Sequence, residues 1–423
     1  MTSPTRKMKP SGIPWIGDVP ADWESRRFRR AGRFVKGKLP SNDNSNAEGL
    51  PIIGASEMNG KPPRTFTTDS SCPQCEKDDV LILWDGANAG FVAQGFAGTL
   101  SSTVVKYRCE IPETCPRYVF YLLKYFETYF RNKVNGTTIP HMNPAFIDDC
   151  ALLLPPTETQ KKIAEFLDEK CAEIDTLIAV EEKMIAELKS YKQSVITEAV
   201  TRGVPAAANA ARPLKDSGIP WLGSVPAHWG ICMIKRIFHV FSGTTPKSEI
   251  SNYWDGPFSW ITPADYKTED KYVFSGRKSL TREGLLSCGL TILPKGSIIF
   301  SKRAPIGAVA ITKNELCTNQ GCLSCVPKMA LNEEYFYFAM SIFTEQFELL
   351  GAGTTFKEIS LSDFADFLLP VPPKSEQSEI SNYLNKKTEQ INSVISIKQE
   401  KITTLQNYKK SIIFEYTTGK KGI

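Results

Sequence analysis

Apolar residues recur at heptad spacing in two stretches of this chain. Between Thr157 and Ala199, one series runs through Leu167, Ile174, Leu188 and Val195. A second runs through Ile163, Cys171, Ile178, Ile185 and Tyr191 or its neighbours. Two interleaved series make the seam of a coiled coil. The stretch holds no Gly or Pro and is rich in good helix formers, so it predicts one long helix. Pro155 and Pro156 stop what precedes it, and Thr157 with Gln160 has the spacing of a capping box. At ~1.5 Å per residue, about 40 residues make a rod roughly 60 Å long. The pattern returns behind Pro372 and Pro373, where Leu384, Ile391, Leu405 and Ile412 take the places of the first series. Lys374 replaces the capping Thr157, which allows a start at Ser375. Each helix has one apolar seam and nothing local to cover it, so burial of one seam against the other is the simplest expectation.

Glu181 interrupts the first seam near its middle, and its repeat mate is Lys398. An antiparallel pair and an in-register parallel pair both bring these midpoint residues together, and both residues also fit snorkelling to solvent. Charge favours pairing in either direction. Residues 157–199 carry 10 acids and 6 bases, residues 374–416 carry 5 acids and 7 bases.

A second repeat precedes each helix. Residues 11–23 read SGIPWIGDVPADW and residues 217–229 read SGIPWLGSVPAHW. Its prolines fix φ, and Trp15, Trp23, Trp221 and Trp229 offer large areas for burial, so a rigid docking segment is expected in each half. The order is segment, globular unit, long helix, taken twice: a tandem duplication of about 210 residues. The expected divisions are 1–154, 155–203, 204–369 and 370–423. The first unit shows strand-like runs at Val80–Trp84 and Thr103–Tyr107 and an amphipathic helix over Tyr118–Arg131. The second shows strands at Ser297–Ser301 and Ala308–Ile311 and a helix over Glu333–Leu349. The fold class expected is α+β, with two mixed α/β units.

Composition changes this picture little. At 41% hydrophobic and 23% charged, the 423-residue chain is ordinary for a soluble protein. No apolar run approaches the ~18–20 residues that span a bilayer, and no signal-peptide core is visible, so a cytoplasmic location is expected. The helices contribute −4 and +2 to a net charge of +5, leaving +7 elsewhere, which leans toward a polyanionic partner. Eleven scattered cysteines are expected as thiols. Cys72 and Cys75, with Cys109 and Cys115, have loose zinc-ligand spacing, and Cys322 with Cys325 lies in a strand-like run. The expected metal content is none.

The duplicated SGIPW segments, the GTTPKS run (243–248), the SKRAPIGA turn (301–308), the GTT loops at 136–138 and 353–355, and the LLPP and LPVPP entries into long helices together resemble the specificity subunit of Type I restriction-modification enzymes. The resemblance covers essentially the whole chain. It implies two target recognition domains, each reading one half of a bipartite DNA site. It implies that the helices pair as an antiparallel coiled-coil spacer with pseudo-two-fold symmetry and dock two methyltransferase subunits, with restriction subunits joining them. No catalytic activity belongs to such a subunit. S-adenosylmethionine, ATP and Mg are expected on the partners and no cofactor on this chain. The first unit departs in its entry, VKGKLPSN (35–42) against FSGTTPKS (241–248).

Chemistry then selects candidate DNA contacts. Lys and Arg grip phosphate, while Arg, Asn, Gln and Thr read base edges. In the first unit these are Lys36, Lys38, Asn88, Thr137, Thr138 and His141. In the second they are Thr244, Thr245, Lys247, Lys302, Arg303, Asn319, Gln320, Thr354, Thr355 and Lys357, with Arg303 the leading base reader. Enzyme readings fare poorly. Asn143-Pro144-Ala145-Phe146 lacks the second proline of an amino-methyltransferase signature, and no phosphate-binding GxxxxGK[ST] loop exists. A coiled-coil adaptor without sequence-specific DNA binding is the competing class.

Overall fold

Both long helices form, over Thr157–Arg202 and Lys374–Thr417, in a computed structural model that describes residues 7–13, 16–132, 141–142, 150–204, 213–267, 269–303, 305–353 and 357–423. Their starts differ from the capping box expected. Thr157 and Lys374 already lie inside the helix. The side chain that matters is Gln160: its Nε2 donates to the Pro155 carbonyl at 2.8 Å and its Oε1 accepts from the Cys115 N–H at 2.9 Å. Gln377 repeats this, donating to the Pro372 carbonyl at 2.9 Å and accepting from the Asn332 N–H at 3.0 Å. Both glutamines are buried. Each stitches the start of a long helix to the loop that opens a helix of the adjoining globular part, Pro116–Asn132 or Glu333–Ser341.

The chain divides into two units, residues 1–182 with 399–423 and residues 183–398, so each long helix is shared between them. In the first unit, the large sheet has the order Gly32–Lys36, Val104–Cys109, Val80–Leu83, Val92–Gln94, antiparallel throughout. A second sheet holds Leu50–Ile53 and Gly98–Leu100 side by side in parallel. Glu24–Arg27 pairs with Ala151–Leu154, which leads directly into the long helix. The core gathers Trp23, Phe28, Tyr107, Tyr118, Phe126 and Phe130 with Ile163, Leu167, Cys171 and Ile174 of one long helix and Ile412 and Ile413 of the other. The two helix segments run in opposite directions: Phe166 meets Tyr416, Asp175 meets Lys409 and Glu181 meets Lys401.

The second unit repeats the plan. Its large sheet runs Phe238–Ser242, Cys322–Pro327, Ile298–Lys302, Ile306–Thr312, with Tyr272–Val273 added in parallel at the edge. Trp254–Ile261 and Cys317–Thr318 make the parallel pair of the small sheet. Gly230–Met233 pairs with Leu368–Val371. Trp229, Phe238, Phe300, Tyr335, Phe336 and Phe347 share their core with Val195, Ile196, Ala199 and Val200 of the first helix and Ile380 and Leu384 of the second. Again the segments oppose: Lys398 lies against Met184 and Asn392 against Lys192.

A tyrosine in each unit closes the far end of a long helix. The Tyr118 hydroxyl donates to the Thr417 carbonyl at 3.1 Å, and Tyr335 donates to the Val200 carbonyl at 3.2 Å. Short hairpins form in both repeats, Met8–Pro10 with Asp18–Pro20 and Leu214–Asp216 with Ser224–Pro226. In the first unit, Gly419 has φ +71 and a Cβ there would fall 2.5 Å from Pro20 Cδ, so both the conformation and the close approach require glycine.

Four expectations need correction. Trp23 and Trp229 are buried, but Trp221 is 46% exposed and lies flat on Phe367; Trp15 lies outside the described residues. Tyr191 is 54% exposed, and Val195 and Ile196 carry the burial at that end of the seam. The helix expected over Glu333–Leu349 is two, Glu333–Ser341 and Thr344–Leu350. Phe343, which lies between the two helices, and Phe347 both pack on the Phe367 ring, at 5.7 and 4.2 Å. Lys302 ends a strand rather than starting a turn, and its side chain is only 12% exposed. Cys109 donates to the Ala31 carbonyl, and among the described residues no group of three or more His, Cys, Asp or Glu is placed to hold a metal. No helix among the described residues is long and apolar enough to cross a membrane.

Asp79 is a buried carboxylate of the first unit. It accepts from Arg108 NH2 at 2.8 Å, Lys106 Nζ at 3.3 Å and the Glu76 N–H at 2.9 Å. Burial pushes its pKa up, but the Arg108 hydrogen bonds, the Glu76 amide and Lys106 outweigh burial and hold it below the usual range. A depressed folded pKa stabilises above the unfolded value near 3.9, and that stability is lost as pH falls through the folded value.

Gln377→Ala strands the Asn332 N–H and the Pro372 carbonyl and is expected to cost about 1–3 kcal/mol in urea unfolding, with Gln160→Ala similar. A cost below about 0.5 kcal/mol would show that the stitch is ornamental. Asp79→Asn is expected to lower stability by about 2–3 kcal/mol at pH 7, the discount reflecting the half-exposed Arg108. The gap between wild type and this variant is expected to shrink as pH falls below about 4, and a gap independent of pH would refute the assignment.

Candidate nucleic-acid interface

Each large sheet hands its first strand to the small sheet at a glycine. A Cβ on Gly37 would lie 2.1 Å from the Ser101 carbonyl oxygen, and one on Gly243 would lie 2.1 Å from that of Asn319. Only a residue without a side chain lets the two backbones approach this closely. The differing entries, VKGKLPSN and FSGTTPKS, therefore share one backbone address. Beyond it Lys38 in one unit and Thr244, Thr245 and Lys247 in the other are exposed.

In the second unit a continuous edge follows. The Thr244 N–H donates to the Thr318 carbonyl at 3.1 Å, and the Thr245 hydroxyl donates to Gln320 Oε1. Asn319 Oδ1 accepts from the Gly321 N–H at 2.9 Å. The Lys302 N–H donates to the Gly321 carbonyl at 3.0 Å, and the Lys302 carbonyl accepts from Ile359 at 3.1 Å. Thr244, Thr245, Asn319, Gln320, Lys302 and Arg303 are thereby brought together. Glu358 joins them, with Oε1 2.7 Å from Lys302 Nζ and Oε2 3.6 Å from Arg303 NH1. Exposed Lys357 precedes it in the chain. The Lys302 hydrogen bond outweighs burial and keeps the Glu358 carboxyl below the usual range.

The first unit carries a smaller described edge. Lys36 Nζ lies 2.9 Å from Asp85 Oδ2, and His141 Nδ1 lies 2.7 Å from Asp85 Oδ1. The Met142 N–H donates to the Trp84 carbonyl at 2.9 Å. Burial pushes the Asp85 carboxyl up, but His141 and Lys36 hold it lower than usual. Asn88 is exposed in the turn that follows. Thr137, Thr138, Thr354 and Thr355, and the 143–146 motif, lie outside the described residues.

Asp85 and Glu358 were not among the candidates. Sequence chemistry points to cations and amides, because phosphate repels carboxylates. A carboxylate nevertheless accepts from base amino groups and fixes the cations beside it. The visible signal was an acid within one residue of Lys357 and another opening the WDGANAG turn. On the helices, Glu181 is buried with Lys401 Nζ at 2.6 Å, while Lys398 Nζ lies 3.1 Å from Met184 Sδ.

Comparison with known proteins places this architecture. The family described as Type I restriction modification DNA specificity domain matches residues 20–190 and 226–418. The MjaIX specificity subunit of a Type I restriction enzyme from Methanocaldococcus jannaschii is 38% identical over 167 residues, 39% of this chain and 39% of that protein. The MjaVIII specificity subunit from the same organism is 26% identical across 95% of this chain and 93% of its own. Among solved structures, a chain from a study of type I R-M complex assembly superposes with a TM-score of 0.71 at 16% identity, covering 95% of this chain and 99% of the other. The HsdS subunit from Thermoanaerobacter tengcongensis gives 0.50 at 15% identity, covering 95% and 98%. With two family matches falling on the two halves of a duplicated chain, this protein belongs to the Type I restriction-modification DNA specificity family.

Proposed function

We propose that this chain is the DNA-reading subunit of a Type I restriction-modification complex and has no catalytic activity of its own. Each globular part reads one half of a bipartite asymmetric site. The observation that carries this reading is a shared frame with unlike faces. Gly37 and Gly243, Gln160 and Gln377, and Tyr118 and Tyr335 do the same structural work in both units, while the edges around Asp85 and Glu358 carry different side chains.

In this reading the long helices form an antiparallel coiled coil with pseudo-two-fold symmetry and act as a spacer. The opposite order of the pairs Phe166–Tyr416, Asp175–Lys409 and Glu181–Lys401 supports it. Rods of roughly 60 Å suit half-sites about a turn to a turn and a half apart, given ~3.4 Å per base pair. Exposed Leu177, Val180, Met184, Ile397 and Tyr408 give the helices apolar surface on which two methyltransferase subunits dock. Restriction subunits complete the nuclease. S-adenosylmethionine, ATP and Mg belong to those partners, and the complex works in the cytoplasm.

Methylome mapping of a host expressing this chain with its methyltransferase partner is expected to return one two-part motif with a fixed gap. Modification at a single undivided motif would overturn the scheme. Affinity for duplex is expected to fall steeply with salt, as counterion release requires. Lys247→Ala is expected to weaken binding evenly across sequences and to lower the salt slope by about 1. Salt-independent binding without sequence preference would favour a protein adaptor instead.

A further inference from the structure

Two backbone hydrogen bonds define one address in both units. In the second, the residue before Arg303 accepts from the residue after Glu358: Lys302 carbonyl from Ile359 N–H. In the first, the residue before Asp85 accepts from the residue after His141: Trp84 carbonyl from Met142 N–H. Arg303 and Asp85 thus stand at the same place, just past the end of an interior strand of the large sheet. Glu358 and His141 stand opposite them. The side chains across each pair touch, Arg303 to Glu358 and Asp85 to His141. The pair is conserved in kind and reversed in polarity, with the base on the strand side in one unit and the acid there in the other.

Both addresses carry an extra cation that keeps the acid ionised, Lys302 at 2.7 Å from Glu358 and Lys36 at 2.9 Å from Asp85. Both reach solvent, unequally: Arg303 and Glu358 are each 39% exposed, the His141 side chain 59% and the Asp85 side chain 16%. A bonded acid–base pair left at the surface of a DNA-reading edge has a specific use. Base edges differ mainly in whether they offer donors or acceptors, and a charged group that is already oriented loses little freedom on meeting one.

We propose that this address selects base-edge polarity, and that its reversal makes the two readers prefer opposite kinds of base there. The inference rests on the DNA-specificity reading above. Arg303 donates to the O6 and N7 acceptors of guanine. Asp85 accepts from an exocyclic amino group, that of cytosine or adenine. Glu358 and His141 are positioning residues that hold the reader's plane. The exchanged pair, rather than the general basicity of either unit, then accounts for part of the asymmetry of the site.

The test uses the full chain and a duplex library randomised in both half-sites. Wild type is measured first, then Asp85→Arg with His141→Glu, and the reciprocal Arg303→Asp with Glu358→His. The first double variant is expected to shift one position of the first half-site toward guanine by about tenfold and to leave the second half-site alone. The reciprocal variant is expected to lose a guanine preference of similar size in the second half-site only. Asp85→Asn, which keeps the shape, is expected to lose several-fold discrimination at that same first-half position, and so serves if the double variant fails to fold. Unchanged preference, or a loss spread evenly over all sequences, would overturn the proposal. A wild type with no preference for any split sequence would instead overturn the DNA-specificity reading itself.

Discussion

An apolar stripe on a helix with no local cover is the constraint from which this architecture follows. Ile163, Leu167, Cys171 and Ile174 occupy one side of a rod that draws most of its stability from packing that face. Each fully buried Ile or Leu contributes about 1.5–3 kcal/mol, against about 1 kcal/mol for a typical hydrogen bond. The seam therefore dominates the Gln and Tyr contacts in energy, and those contacts act mainly on register and orientation. Each unit resolves the stripe in the same way. It takes the beginning of one long helix and the end of the other into a core already built from Trp, Tyr and Phe.

That solution explains what the duplication preserved. Trp23 and Trp229, Tyr118 and Tyr335, and Gln160 and Gln377 all lie where a globular part grips helix ends. Side chains at the opposite edge have no such duty. There Asp85 and His141 share no chemistry by position with Arg303 and Glu358, although matching backbone hydrogen bonds join the two addresses, and the cations beside them, Lys36 and Lys302, come from different strands. Buried positions are fixed by packing, and exposed ones are free to follow whatever they touch.

The periodic features were legible in the chain. Heptad spacing gave the long helices, and the strands from Val80 and Ile298 were found because short β-branched and aliphatic runs stand out between Gly-rich turns. The candidate edge of the second unit was largely legible too, since Thr244, Thr245, Lys302, Arg303, Asn319 and Gln320 do converge. What escaped reading depends on partners far away in sequence. Gln160 looked like a cap because its role requires Cys115, 45 residues earlier. Asp85 and Glu358 carry no decisive signal in the sequence, because a lone acid has no meaning until the base beside it is known. Trp221 was expected inside because hydrophobicity alone does not say which of two neighbouring tryptophans faces the core.

The way the chain is shared between units has a consequence for biosynthesis. Residues 183–398 form their unit from one uninterrupted run, whereas the other unit needs residues 399–423 as well as 1–182. During translation the later unit can close as soon as its own run has emerged. The earlier one waits, with Ile163 and Leu167 lacking Ile412 and Ile413, and with the Tyr118 hydroxyl lacking the Thr417 carbonyl. The part made first is finished last, and during that interval its sticky stripe is the surface most in need of a chaperone.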